Sequence, residues 1–328
     1  MKKRIIISII SFLIIFIGIL TFVKFTSNKN KDLTKVKLAE VTHSAFYAPL
    51  YVAIENGYFK DEGIDLEVIL TPGADKVASA VLSDDVNIGF AGPESAIYVY
   101  NGGEKDYITT FAGLTKRDGQ FIVSRNKNFK LEDLIGKEVL VGRYAGMPSL
   151  NFINALKNNN IDINKIKLNY SVEFAALSGS FISGVGDYVN LFEPNATNIE
   201  KEGYGYVVAS VGELSGEVPY TAFYTRKSYI DENKELLIKF TNAIAKGLTY
   251  VKENNSEKIA DVILPQFPDI SKNSLATIID RYKNSDSWLD NPYISEESFK
   301  NLENIMMDAN LIDEYVPYED LINNLYNE

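Results

Sequence analysis

His43 is the only imidazole in the 328 residues, and there is no cysteine. A thiol nucleophile, a thiolate zinc site, a disulfide framework and a histidine metal cluster are therefore all excluded. Nucleophilic hydrolysis normally needs a base beside a serine, and one histidine leaves little room for it. Ser124-Arg125-Asn126-Lys127 matches a bare S-x-x-K. It sits at the end of an expected strand without companion motifs, and chance explains it. Neither a Walker loop nor a dinucleotide fingerprint is present. Asp84-Asp85 reads as a solvated turn rather than an acid/base pair.

What remains is chemistry of binding. Pro93-Glu94-Ser95 follows a short apolar run and opens a helical pattern. Its free backbone N–H groups suit an anion, whereas the Glu94 carboxylate suits an amine or an aminopyrimidine; the plainer reading is a glutamate complementing a helix dipole. In Gly142 to Ser149, Tyr144 offers a stacking ring, and Gly146, Met147 and Ser149 offer backbone and hydroxyl donors. Arg143 is read as pairing a surface carboxylate rather than an oxyanion. Glu193 ends a strand, where it either accepts from an exocyclic amine or forms an interdomain salt bridge. His43, Ser44 and Tyr47 follow the first strand, with Ser44 equally able to cap the next helix. Gly73 and Ala74 let backbone approach a ligand, unless Gly73 only serves the Pro72-Gly73 turn. Asn190 and Tyr220 complete the candidates. The 20 Tyr and 18 Phe can furnish a stacking box, though most belong to the core. Trp288 is read as packing.

The elements that must hold these residues follow from periodicity. Val36 to Val41 and Ile64 to Leu70 alternate as strands do, and Ala48 to Asn56 turns helical before Gly57. Further strand and helix patterns alternate through Tyr100, a beat that implies a mostly parallel sheet covered by helices. The beat restarts at Leu131, with strands at Lys137 to Val141, Lys167 to Tyr170 and Tyr188 to Phe192 and a helix over Glu173 to Ser183. From Lys227 the pattern is almost wholly helical, with faces expected to cover the first half. The organisation expected is a signal anchor and tether over 1–35, a first lobe over 36–122, a second over 123–222, and a return to the first lobe over 223–328. Ligands in open α/β sheets sit at the carboxyl ends of strands, so a cleft between the lobes should be lined by the candidate loops.

Met1-Lys2-Lys3-Arg4 precedes an apolar run from Ile5 to Val23 broken only by Ser8, Ser11, Gly18 and Thr21. That length roughly matches a bilayer core about 30 Å thick. The basic start places everything after Val23 outside the membrane. An uncleaved signal anchor is expected, with cleavage near Ser27 as the alternative. The first 31 residues hold six basic residues and no acidic one, so the body carries −17 of an overall −11. So acidic a body argues against nucleic acid as a partner.

Several segments resemble one family. Within Ala45 to Val68, Pro49-Leu50-Tyr51-Val52-Ala53, Gly57-Tyr58-Phe59 and Glu62-Gly63-Ile64 resemble the opening of periplasmic-binding-type solute receptors for sulfonates, taurine, nitrate and thiamine-precursor pyrimidines. Val81 to Gly92 resembles the family's "Leu-x-x-Gly-x-x-Asp-Ile-Gly" step, departing at Val81, Asp84 and Asn87. Leu134-Ile135-Gly136-Lys137 and its continuation to Arg143 resemble "Leu-x-Gly-Lys-x-Val-Gly-Val". Leu191-Phe192-Glu193-Pro194 resembles "Trp-Glu-Pro", with Phe192 for Trp. The resemblance implies an α/β fold of the two-lobed periplasmic-binding-protein type II, with a helical C-terminal region and here an N-terminal membrane-anchor helix. It implies the extracytoplasmic substrate-binding component of an ABC importer, partnered by permease and ATPase subunits and needing no cofactor. The family touches eukaryotic pyrimidine-synthase enzymes, but their cysteine-rich motif has no counterpart here and catalysis is not expected. Glu94, Glu193 and the tyrosines incline the ligand toward a thiamine-precursor aminopyrimidine. Aliphatic sulfonate, taurine or nitrate is the runner-up, and a ligand-sensing adaptor for a membrane partner is the other alternative.

Overall fold

A computed structural model describes residues 33–326, so the signal-anchor reading lies outside the described residues. Among the described residues, no helix is long and apolar enough to cross a membrane. Ten strands form two five-stranded sheets. The first runs β2 (Ile64–Leu70), β1 (Thr34–Glu40), β3 (Ile88–Ala91), β10 (Thr221–Arg226), β4 (Ile108–Thr115). The second runs β7 (Lys167–Asn169), β6 (Glu138–Leu140), β8 (Tyr188–Leu191), β5 (Phe121–Ser124), β9 (Tyr206–Ser210).

The alternating beat led to an expectation of mostly parallel sheets, and each sheet departs from it at one strand. β10 is antiparallel to both β3 and β4, and β5 is antiparallel to both β8 and β9. The reason is geometric. β4 ends at the cleft edge of the first sheet, and Lys116 to Gln120 deliver the chain to the cleft edge of the second. β5 must therefore run away from the cleft, against its neighbours. β10 does the same on the return. The two crossovers also hydrogen-bond to each other, through Val218 N to Lys116 O at 3.0 Å, Tyr220 N to Thr115 O at 3.1 Å and Val211 N to Gln120 O at 3.0 Å.

The C-terminal region behaves as its amphipathic pattern requires, and then does more. The long helix Lys227–Glu253 buries Leu237, Phe240, Ile244, Leu248 and Val251 against the first sheet's outer layer. Phe240 meets the rings of Phe59, Phe111 and Phe223 at 5.1, 5.8 and 5.1 Å. The segment 286–294 and the terminal residues 322–325 run along β4 and occupy its backbone groups, for example through Gly113 N to Pro292 O and Asn323 N to Thr110 O, both 2.8 Å. An otherwise open sheet edge is thereby covered. Besides covering the first half, these helices also reach the second. Lys157 pairs with Asp308, and helix Lys272–Asn284 contributes Arg281 and Tyr282 to Glu193. Such polar bridges leave no trace in hydrophobic periodicity. Trp288 packs as expected, but in an extended segment rather than a helix; it bridges to Thr115 and donates Nε1–H to the Phe46 carbonyl at 2.7 Å. The expected helix over Glu173 to Ser183 is a 3-10 turn, Phe174–Ala176, followed by Leu177–Ile182.

Gly247 marks the tightest helix contact. A Cβ there would lie 2.1 Å from the Pro49 carbonyl oxygen, in the first turn of helix Ala48–Glu55. In an exposed helix interior, Gly to Ala stabilises by about 1 kcal/mol. Here the sign reverses: Gly247→Ala is expected to destabilise by about 1–3 kcal/mol, the range for overpacking, as a lower urea midpoint at unchanged slope.

Candidate functional site

The carboxyl ends of the parallel strands carry the loops singled out above, and the structure brings many of them together across the lobes. Tyr98 OH donates to Ala145 O at 3.1 Å. Arg143 forms a two-pronged ion pair with Asp75 at 2.7 and 3.3 Å, an exposed surface pairing, as expected for it. This pair holds the Asp75 carboxyl below its usual range. Gly73 caps the helix Ala74–Leu82 at φ 113°, a conformation that favours glycine, with the Arg143 guanidinium nearby. Gly73 and Ala74 are only partly buried, at the rim.

Glu94 is the centre. It begins the helix Glu94–Asn101 with Pro93 as its cap, is 3% exposed, and has no hydrogen-bond partner at Oε2 within the protein. Its side chain folds back over Gly92, where a Cβ would stand 2.0 Å from Oε2 and 2.7 Å from Met147 Cγ. Gly92 is thus a close-approach glycine, and Met147 of the second lobe closes over the carboxyl. Burial pushes Glu94 up to about 7, partly offset by the backbone amides of Glu94, Met147 and Ser95. No cation contributes. Ser95 is buried beside Tyr224, whose hydroxyl is also without a partner.

The Tyr47, Tyr220 and Tyr224 phenols lie close enough to this carboxyl to feel its charge, and the first two belong to an aromatic cluster around Phe46. Phe46 lies 5.6 Å from Tyr47, 5.7 Å from Phe192 and 5.8 Å from Tyr220, centroid to centroid. Tyr47 and Tyr220 both feel the Glu94 charge, and burial raises both phenols. The Asn190 side chain, 0% exposed at the middle of the second lobe, has neither its amide nitrogen nor its oxygen paired. A buried primary amide with both ends unpaired is costly unless a ligand or water supplies partners. Asn190 and Tyr220, two lesser candidates from sequence, are thus among those with free polar groups.

Other candidates have different employment. Glu193 takes the salt-bridge reading: it pairs with Arg281 and accepts from Thr197 N at 2.8 Å and Thr197 Oγ1 at 2.9 Å. Both carboxylate oxygens are thus occupied within the protein. The ring nitrogens of His43 lie 2.7 Å from Glu40 Oε1 and 2.9 Å from Gln266 O, and the Glu40 hydrogen bond raises its pKa. Ser44 caps its turn by accepting from Phe46 N, and its hydroxyl donates to Glu193 O at 3.1 Å, a direct bond between lobes. Ser149 donates to Gly146 O within its own helix start, while Gly146 caps helix Met147–Asn158. Tyr144 is 61% exposed, edge-on to Tyr170 at 5.4 Å, and lies at the mouth.

Two residues escaped sequence reasoning. Asp118 is 1% exposed with Oδ2 unpartnered, and Gln120 is fully buried with Oε1 unpartnered. Both sit in the first crossover, whose polar Lys116-Arg117-Asp118 start resembles any surface loop. Only the hinge position, between two strands in different sheets, distinguishes it.

Comparison with known proteins decides the family. The family model described as NMT1/THI5 like matches residues 45–258. The chain belongs to the NMT1/THI5-like family. YtlA of Bacillus subtilis (strain 168), named only as a binding protein, is 41% identical over 307 residues, covering 93% of this chain and 92% of its own. The formylaminopyrimidine-binding protein of Halalkalibacterium halodurans is 20% identical over 304 residues, covering 79% of this chain and 87% of its own. Among solved structures, the alkanesulfonate-binding protein SsuA from Xanthomonas axonopodis pv. citri, bound to MOPS, aligns at TM-score 0.68 and 12% identity over 88% of this chain and 97% of its own. The two-sheet architecture is therefore that of the periplasmic binding proteins.

Glu94 gives a pH test. Its folded value near 7 exceeds the unfolded 4.5, so between those values the folded form holds the extra proton and stability falls as pH rises. Glu94→Gln removes that loss. Its stability relative to wild type should rise by about 1.4 kcal/mol per pH unit across that interval and level off above it, read from urea midpoints at pH 4.5 to 8. A constant difference would show that burial does not perturb Glu94.

Proposed function

We propose that the chain is the solute-binding component of an ABC importer, held at the outer membrane face by its N-terminal segment, and that its solute is a small aminated heterocycle of the aminopyrimidine type. The observation that carries this reading is the Glu94 carboxyl, buried without a cation, with the Tyr47 and Tyr220 phenols near enough to feel its charge. A carboxyl in that setting is matched by N–H groups of a planar ring, which satisfy its oxygens while the ring packs against the aromatic side chains. The named ligand of the Halalkalibacterium relative has this chemistry.

Anionic solutes fit less well. Arg281 is committed to Glu193 and Glu200, and Arg143 to Asp75. A sulfonate or nitrate would meet two buried acids, Glu94 and Asp118, neither of which has a cation among the causes of its shift. In this reading the solute is bound and released unchanged, with permease and ATPase subunits as the partners for import.

Calorimetric titration with 4-aminopyrimidines, alkanesulfonates, taurine and nitrate tests the reading. Binding is expected for the aminopyrimidines alone, with Glu94→Gln losing at least tenfold in affinity. Binding of a sulfonate or nitrate, indifferent to Glu94→Gln, would overturn it.

A further inference from the structure

Asp118 enters the reading above only as a buried acid that disfavours anions, yet its surroundings are as built as those of Glu94. Its Oδ1 accepts from Gln120 N at 2.6 Å, which fixes the carboxyl's orientation and leaves Oδ2 without a partner. The neighbouring Gly119 lies against the Phe46 ring so tightly that a Cβ would stand 2.6 Å from Cε2. Gly212, in the second crossover, is pressed against Asp118 itself, where a Cβ would come within 2.3 Å of the Asp118 carbonyl oxygen. Asp118 is thus clamped between the two crossovers on one side and the aromatic cluster on the other. The Tyr220 hydroxyl, 4% exposed, lies close enough to feel the Asp118 charge more than any other, without meeting it in hydrogen-bond geometry. Gln120 Oε1 adds another unpaired acceptor, and Gln120 Nε2 reaches the Asn190 carbonyl at 3.5 Å. Asp118 Oδ2 and Gln120 Oε1 are thus two unpaired acceptors two residues apart on the first crossover.

We propose that Asp118, oriented by Gln120 N–H and flanked by Tyr220, is a second acceptor of the binding site, selecting solutes that carry a second hydrogen-bond donor besides the amine received by Glu94. The proposal rests on the aminopyrimidine reading and narrows it to heterocycles with two donor groups. Burial raises the Asp118 carboxyl well above its usual range, opposed in part by the Gln120 amide and the nearby Tyr220 hydroxyl. A donor from the solute, and a cationic one above all, relieves that cost. Because Asp118 and Tyr220 belong to different crossovers, a donor placed between them ties the solute to both hinge segments at once.

The test is a paired-probe titration of the full-length protein. Each pair shares a 4-aminopyrimidine ring and carries either a methyl or an aminomethyl group at one position, C2 or C5. Wild type should prefer the aminomethyl member of at least one pair by tenfold or more, in line with a charge-assisted hydrogen bond of about 1.5–3 kcal/mol. Asp118→Asn should erase that preference while leaving the methyl probe within about threefold. Tyr220→Phe, which removes only a hydroxyl, should reduce the preference and serves if Asp118→Asn fails to fold. A preference absent in wild type, or intact in Asp118→Asn, overturns the proposal. So does an equal loss for both members of each pair. Loss of the Glu94 reading shows separately, as methyl-probe affinity unchanged in Glu94→Gln.

Discussion

Buried acceptors without cations govern this molecule. Glu94 Oε2, Asp118 Oδ2 and Gln120 Oε1, together with the Asn190 amide and the Tyr220 and Tyr224 hydroxyls, are withdrawn from solvent and find no partner in the protein. Each such group costs about 1–3 kcal/mol when left unpaired, a burden that a domain stabilised by 5–15 kcal/mol cannot carry without purpose. They come from the first lobe, the second lobe and the crossovers. In the proposed reading, a solute between the lobes supplies the donors that these groups lack. Selectivity and lobe approach are in this sense one property.

The scaffold serves that property by holding backbone where side chains would intrude. Gly92, Gly119 and Gly212 each stand where a Cβ would collide, with Glu94, Phe46 and the Asp118 backbone respectively. Around them the two crossovers hydrogen-bond to each other, and Ser44 and Arg281 make further ties to Glu193 from the first lobe and the C-terminal helix. The acidic groups therefore sit on the stiffest part of the junction. The exposed Arg143–Asp75 pair and the Tyr98–Ala145 bond lie farther out, where contacts form and break at small cost.

Much of this was legible from the residues alone. Alternation located β2 at its observed limits, and Pro93-Glu94 announced a helix start where the structure has one. Glu94 was legible because it opens a helix after a strand, where solute sites form. The antiparallel insertions were not, because hydrophobic pattern has no direction; strand polarity depends on which edge the chain arrives at. Glu193 shows a different limit. Its place at a strand end suits a solute contact and a salt bridge equally, and Arg281, 88 residues away, decides between them. Asp118 escaped because a charged residue in a short connection is ordinary. Its isolation from solvent is created by Phe46, Gly212 and Tyr220, none of them near in sequence.

The placement of Trp288 gives the molecule an optical property. It is the chain's single tryptophan, its indole hydrogen is held by the Phe46 carbonyl, and its ring lies 6.0 Å from that of Tyr282, whose hydroxyl accepts from Glu193 N–H at 3.1 Å. Tryptophan emission from the whole protein thus originates at one indole anchored to the loop that carries Phe46 against Gly119. Displacement of that loop alters the polarity and quenching felt by a lone indole, with no label and no second tryptophan to compete.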